Sequence, residues 1–236
     1  MNRPPTSTPP SCSQNHCVTI KHRIAYAFAT NKRGNRFGQL GRPKSSSKLD
    51  DALKTPKQIQ FQTNDVQLIA AAAGGSKDSG HTLLLDLEGQ VHACGCDRWQ
   101  QLGLGSSEAG AVGYTWQGRL WHYTPQLVSA LASKHVIAVA AGDDHSVVLL
   151  KSGEVYTFGR GEHGQLGQAG KPFVMPPTKS MELSSNNVQQ VASIRAEGNC
   201  TGIFSANGGL LKNVGRCPKD LLTKWRILTS SGQASG

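Results

Sequence analysis

Ala140-Ala-Gly-Asp-Asp-His-Ser-Val-Val-Leu-Leu-Lys-Ser-Gly-Glu-Val-Tyr-Thr-Phe-Gly-Arg-Gly-Glu-His-Gly-Gln-Leu-Gly167 reads as a small antiparallel unit whose turns are marked. Apolar side chains dominate Val147 to Leu150, and Ser152-Gly153 supplies a tight turn. Val155, Tyr156 and Phe158 then continue in β-branched and aromatic residues, which is the pattern of a hairpin. Gly159, Gly164 and Gly167 punctuate the exit.

The same grammar recurs upstream as His81-Thr-Leu-Leu-Leu-Asp-Leu-Glu-Gly-Gln-Val-His-Ala-Cys-Gly-Cys-Asp-Arg-Trp-Gln-Gln-Leu-Gly103. The two copies align without a gap: Gly89 matches Gly153, Val91 matches Val155, Gly95 matches Gly159, and Gln101-Leu-Gly103 matches Gln165-Leu-Gly167. A partial copy is Tyr26-Ala-Phe28 followed by Gly38-Gln-Leu-Gly41. A degenerate one places Gly198, Gly209 and Gly215 where Gly142, Gly153 and Gly159 stand, without the Gln-Leu-Gly. From Gln39 to Gln101 is 62 residues and from Gln101 to Gln165 is 64. Self-similarity at that period indicates an array or a propeller.

These residues resemble the regulator of chromosome condensation repeats. That family's motif runs Gly-x-x-His-Ser, an apolar strand, a glycine turn, Val-Tyr-x-Phe/Trp-Gly and Gly-Gln-Leu-Gly. Residues 142–167 match it nearly position by position and 74–103 match well, with the resemblance fading toward 24 and 216. It implies a β-propeller of four-stranded blades, usually seven of them. Seven blades at the observed spacing would need on the order of 400 residues, so the expected fold is all-β and a partial propeller: an open arc or a fragment of a seven-bladed ring.

The physics of the repeat agrees. One thin sheet cannot bury both its faces and is stabilised only when neighbouring copies stack on it. Short apolar strands with glycine turns favour an all-β class, and few windows leave room for a long amphipathic helix. The division expected is a disordered leader over 1–20, a first partial repeat over 21–63, a second over 64–135 with an aromatic insertion, a third over 136–187, a degenerate fourth over 188–228, and a polar tail over 229–236. Gln58-Ile-Gln-Phe-Gln62 alternates as the outer strand of the first blade would.

The net charge of +10 is unevenly spread: residues 1–49 hold nine of the 25 Lys and Arg and none of the 15 Asp and Glu. The body is therefore nearly neutral, which argues against nucleic acid as a partner except through the basic N-terminus. The first 20 residues, with paired prolines and many Ser and Thr, lack the apolar core of a secretory signal. No run approaches the ~18 apolar residues needed to cross a bilayer. Cytoplasm or nucleus is the expected compartment, with mitochondrion or plastid as the alternative. Six scattered cysteines suggest free thiols in a reducing compartment, and Cys94-Gly-Cys96 is one residue short of a zinc clip with no second clip to match.

Two apparent chemical motifs are read as structural. Gly159-Arg-Gly-Glu-His-Gly164 fits a dinucleotide fingerprint by letter, but two more glycines and a proline follow where a helix is needed. His145 and Ser146 are adjacent on a strand, point to opposite faces and cannot act as base and nucleophile. His81 and His145 are instead expected to bond backbone at a blade turn. With Gly89, Gly95, Gln101, Gly103, Gly142, Gly153, Gly159, Gly164, Gln165 and Gly167 they form the structural set of the repeat. No catalytic residue, cofactor or metal site is expected.

The longest departure from the repeat, Leu104 to Tyr123, concentrates Tyr114, Trp116, Arg119, Trp121 and Tyr123 in a chain with four Trp and four Tyr. Aromatics with an interleaved Arg are the composition of an interface hot spot. The competing reading is that the loop completes its own blade. The expected function is a non-enzymatic scaffold that binds a protein partner through its loops. The resemblance implies guanine-nucleotide exchange on a small GTPase as the alternative, and chromatin or nucleic-acid binding through residues 1–49 as a further one.

Overall fold

The computed structural model of the chain describes residues 7–30, 38–41, 55–61, 66–76, 79–105, 121–183 and 191–230. The first blade runs β1 (Ser11–Cys12), β2 (His16–Lys21), β3 (Ile24–Ala29) and β4 (Lys57–Gln58). The second runs β5 (Leu68–Gly74), β6 (His81–Asp86), β7 (Val91–Cys96) and β8 (Trp121–Leu127). The third runs β9 (Val136–Ala141), β10 (His145–Leu150), β11 (Val155–Arg160) and β12 (Phe173–Lys179). The fourth has β13 (Ser193–Glu197), β14 (Cys200–Phe204) and β15 (Leu210–Gly215), and α1 (Lys219–Ser230) follows it. Each sheet is an antiparallel meander in chain order, and together they make a four-bladed propeller arrangement.

The registers repeat as the alignment of 81–103 with 145–167 predicts. His81 pairs with Gly95 and Leu85 with Val91; His145 pairs with Gly159 and Leu149 with Val155. Both copies of the second strand are buried along their whole length, because each is covered on two sides. Val147 and Leu149 pack with Ile203 and Val214 of the fourth blade, whereas Val148 and Leu150 pack with Leu83 and Leu85 of the second. Leu84 faces the other way, onto Val18 and Ile20 of the first blade. The core is thus a series of apolar seams, one between each pair of neighbouring blades. Each fully buried Leu contributes on the order of 2 kcal/mol, and removing a neighbouring blade would forfeit half of a strand's side chains.

The innermost strands carry small residues, Ala70 to Ala73 in β5 and Ala138, Ala140 and Ala141 in β9, which lets the blades converge toward the axis. There β1, β5, β9 and β13 line a cavity of about 720 Å³, with Lys224 and Trp225 of α1 forming part of its wall. Backbone bonds stitch neighbouring blades at one rim: Gly75 N–H donates to the Gly142 carbonyl and Asp143 N–H to that of Gly198.

Several expectations are corrected. Residues 7–20 are not a disordered leader; they supply β1 and β2, and Val18 and Ile20 are buried in the first seam. Residues 1–6 lie outside the described set. The fourth blade has three strands among the described residues, and α1 spans the end of the expected fourth repeat and the start of the expected tail. The glycine of the fourth hairpin turn is Gly208, whose N–H donates to the Ser205 carbonyl as Gly153 N–H does to Leu150; Gly209 is its neighbour. Four cysteines are not free: Cys12 bonds Cys17 across β1 and β2, and Cys200 bonds Cys217 across the ends of the β14–β15 hairpin. Cys94 and Cys96 are free and buried, and burial pushes the Cys94 thiol up to about 12.

Candidate protein-interaction face

β6 and β10 each open with a dipeptide whose two side chains serve different neighbouring blades. His81 Nε2 lies 3.1 Å from Ser146 Oγ of the third blade, and Ser146 Oγ donates to the carbonyl of Gln101 at 2.6 Å. His145 Nε2 meets Thr201 Oγ1 of the fourth blade at 2.8 Å, and that hydroxyl donates to the Gln165 carbonyl at 2.8 Å. His16 does the same with Thr82 at 2.8 Å, which donates to Gln39 at 2.7 Å. Nε2 of each ring therefore meets a hydroxyl in the next blade, and for His81 a backbone hydrogen bond with His145 adds to it. A hydroxyl has one proton; since it goes to the glutamine carbonyl, the ring must donate from Nε2, and desolvation holds the ring in its neutral form. Burial enforces this, lowering the pKa of His16 and His145 to about 3 and of His81 to about 4.

The glutamine side chains shape the same rim. Gln101 Oε1 accepts from Trp99 N–H at 2.8 Å and Gln165 Oε1 from His163 N–H at 2.9 Å, while Leu102 and Leu166 are fully buried beneath. The relay thus fixes the loops that follow the third strands, and these loops, with the turn at 142–144, make up one face of the propeller. The stretch from Gly161 to Gly170 is turns without a helix, so the letters of the dinucleotide fingerprint have no helix N-terminus to go with them.

On this face the Trp99 ring meets two guanidinium groups, Arg160 at 4.6 Å and Arg98 at 5.2 Å from its centroid. Arg160 also pairs with Asp144 at 3.5 Å and with Glu162. Arg98 is exposed. Trp121 begins β8 opposite Cys96 and stacks edge-on against Tyr123 at 6.4 Å. A Cβ at Gly38 would lie 2.8 Å from Tyr123 Cα, so the first blade's Gln-Leu-Gly turn closes directly onto this strand. Tyr114, Trp116 and Arg119 lie outside the described residues. Trp121 and Tyr123 are half-buried at the seam of the first two blades. The Arg98–Trp99–Arg160 cluster is absent from the sequence-based candidates because its two halves are a repeat apart; the one available signal is Trp99 in a loop that otherwise follows the repeat.

Near the cavity mouth Asp143 titrates above its ordinary value, through burial and then the neighbouring Asp144 and Glu197. Asp97, buried beside the Gln-Leu-Gly turn, is raised to about 7 by burial, although its Oδ1 accepts from Leu102 N–H at 2.9 Å.

The family model of the regulator of chromosome condensation (RCC1) repeat matches residues 88–149 and 152–193, and a second model of the repeat matches 136–165. The chain belongs to the regulator of chromosome condensation repeat family. It is 30% identical over 181 residues to a probable E3 ubiquitin-protein ligase, HERC4 of Mus musculus, covering 77% of this chain and 15% of the ligase. Among solved structures, Prp20p of Saccharomyces cerevisiae superposes with a TM-score of 0.66 at 19% identity, over 96% of this chain and 48% of that one. Human WBSCR16 gives 0.65 at 22% identity, over 86% of this chain and 46% of that one. The chain thus spans about half of each solved relative and a small part of the ligase. These likenesses to solved structures establish the propeller fold. Among the described residues no helix is long and apolar enough to cross a membrane.

Proposed function

We propose that this repeat array is a protein-interaction scaffold that holds a partner on the face carrying Trp99. The observation that carries the reading is the contact of the Trp99 ring with Arg98 of its own loop and with Arg160 at the end of β11. Trp and Arg are the residues that most often dominate binding energy, and a pre-ordered ring and guanidinium lose little entropy on docking. Trp121, paired with Cys96 just before the loop that carries Trp99, and its neighbour Tyr123 would extend that surface.

Affinity purification with the full chain tests this. A partner should co-purify with the wild type and be lost on Arg98→Ala/Trp99→Ala, with the melting temperature unchanged. Retention of every partner by that double variant would overturn the assignment of this face. Exchange on a small GTPase is the second reading; a solved relative, Prp20p, is described with its binding to Gsp1p and histones. Accelerated release of labelled GDP from a GTPase in a panel would favour it over scaffolding alone.

A further inference from the structure

The relay dipeptides read His16-Cys17, His81-Thr82, His145-Ser146 and Cys200-Thr201. In β6 and β10 the first member faces the following blade and the second the preceding one. Cys200 therefore stands where a histidine would reach toward a fifth blade, and it is bonded within its own blade to Cys217. Cys200 is fully buried, whereas Cys217 is half-buried. Two residues after Cys217, α1 begins, and it packs on the face of β14 that points away from the third blade.

The contact is specific. Trp225 meets Phe204 edge-on at 5.8 Å and fills the space a Cβ at Gly202 would need, its ring lying 2.7 Å from that position. Leu221 and Trp225 are buried with Cys200 and Phe204 in a separate apolar cluster. Thus α1 covers the kind of face that a neighbouring blade covers elsewhere. A helix of 12 residues is marginal in isolation, so its order depends on this packing and on the tether at its N-terminal end.

We propose that the Cys200–Cys217 disulfide is a reducible latch holding α1 over the outer face of the fourth blade. A dithiol supplies the two electrons. Its first thiolate attacks Cys217 Sγ, which belongs to the less buried of the two cysteines, breaking the bond to Cys200, which leaves as a thiolate and takes up a proton. The second thiol of the reagent then displaces Cys217, leaving two protein thiols and a cyclic disulfide. With the tether gone, α1 opens and uncovers Gly202 and Phe204.

The test is backbone hydrogen exchange of the full chain carrying Cys12→Ser/Cys17→Ser, so that one bridge remains, with and without dithiothreitol. Intact mass reports the state of the bridge. Exchange over 219–230 should rise at least tenfold once the bridge opens, while β6 and β10 keep their protection. Wild type with and without dithiothreitol should give the same contrast if the variant folds poorly. Unchanged exchange in α1 after mass shows the bridge open would overturn the proposal. So would free thiols at 200 and 217 in oxidised protein.

Discussion

The hydroxyl of Thr201 stands 2.8 Å from Nε2 of His145 in the preceding blade. Through its own proton to the Gln165 carbonyl it ties the fourth blade both to the start of a strand and to a loop of the third. Polar groups this deeply buried must be bonded to each other, so the relay acts as a register mark between sheets that otherwise slide on apolar side chains.

Thr201→Val keeps the volume and removes the hydroxyl, stranding a buried ring N–H and a buried carbonyl. A loss of about 2–4 kcal/mol is expected, since each unpaired group costs roughly 1–3 kcal/mol. Thr201→Ser keeps the hydroxyl and should lose about 1 kcal/mol for the methyl. Urea midpoints measure both; equal losses would mean that the hydrogen bonds add nothing.

Acid should weaken the fold well before its surface carboxylates titrate. His16, His81 and His145 have ordinary values near 6.5 that the fold lowers to about 3, 4 and 3. Between pH 6.5 and 4 the unfolded chain therefore binds protons the folded chain refuses, and stability present above pH 6.5 is lost as pH falls. Each ring contributes up to about 1.4 kcal/mol per pH unit. Asp97 works against this: raised to about 7 from 3.8, it is protonated in the folded chain first, so its contribution is present at low pH and lost as pH rises toward 7. The balance is a loss of roughly two rings' worth per unit. Asp97→Asn removes the opposing group and should steepen the fall in melting temperature between pH 6.5 and 4.5; an unchanged slope would show that Asp97 is ionised at both ends.

Residues 81–103 and 145–167 are legible because strand, turn and loop signals sit together in one stretch. The first blade is legible only in part, from Tyr26-Ala-Phe28 onward, since Cys17 replaces the hydroxyl residue, Ala29 replaces the glycine opposite the histidine, and β1 has two residues. Helix α1 was hidden in what read as a failing repeat, although Leu221, Leu222 and Trp225 have helical spacing after Pro218. The histidines and their hydroxyl partners are 56 to 66 residues apart, Trp99 and Arg160 on the loop face are similarly distant, and no local pattern encodes a contact across a seam.

Gly159 is where backbone geometry and packing demand the same residue. Its φ is +101°, and a Cβ there would lie 2.6 Å from the Asp144 carbonyl oxygen and 2.9 Å from His145 Cα, all of it backbone that cannot rotate away. Gly95 and Gly215 face their own pairs in the same way, with Cβ positions 2.4 Å and 2.2 Å from a carbonyl oxygen. Gly170 has φ of +69° and nothing within 4 Å of its Cβ position, so it isolates the conformational part of the cost. Gly170→Ala should lose about 1 kcal/mol. Gly159→Ala adds the clash to the strain, displaces the strand that begins with His145, and should lose about 3–4 kcal/mol. Thermal unfolding of the two variants separates the terms; equal losses would mean that the blade opens at Gly159 freely enough to admit a methyl group.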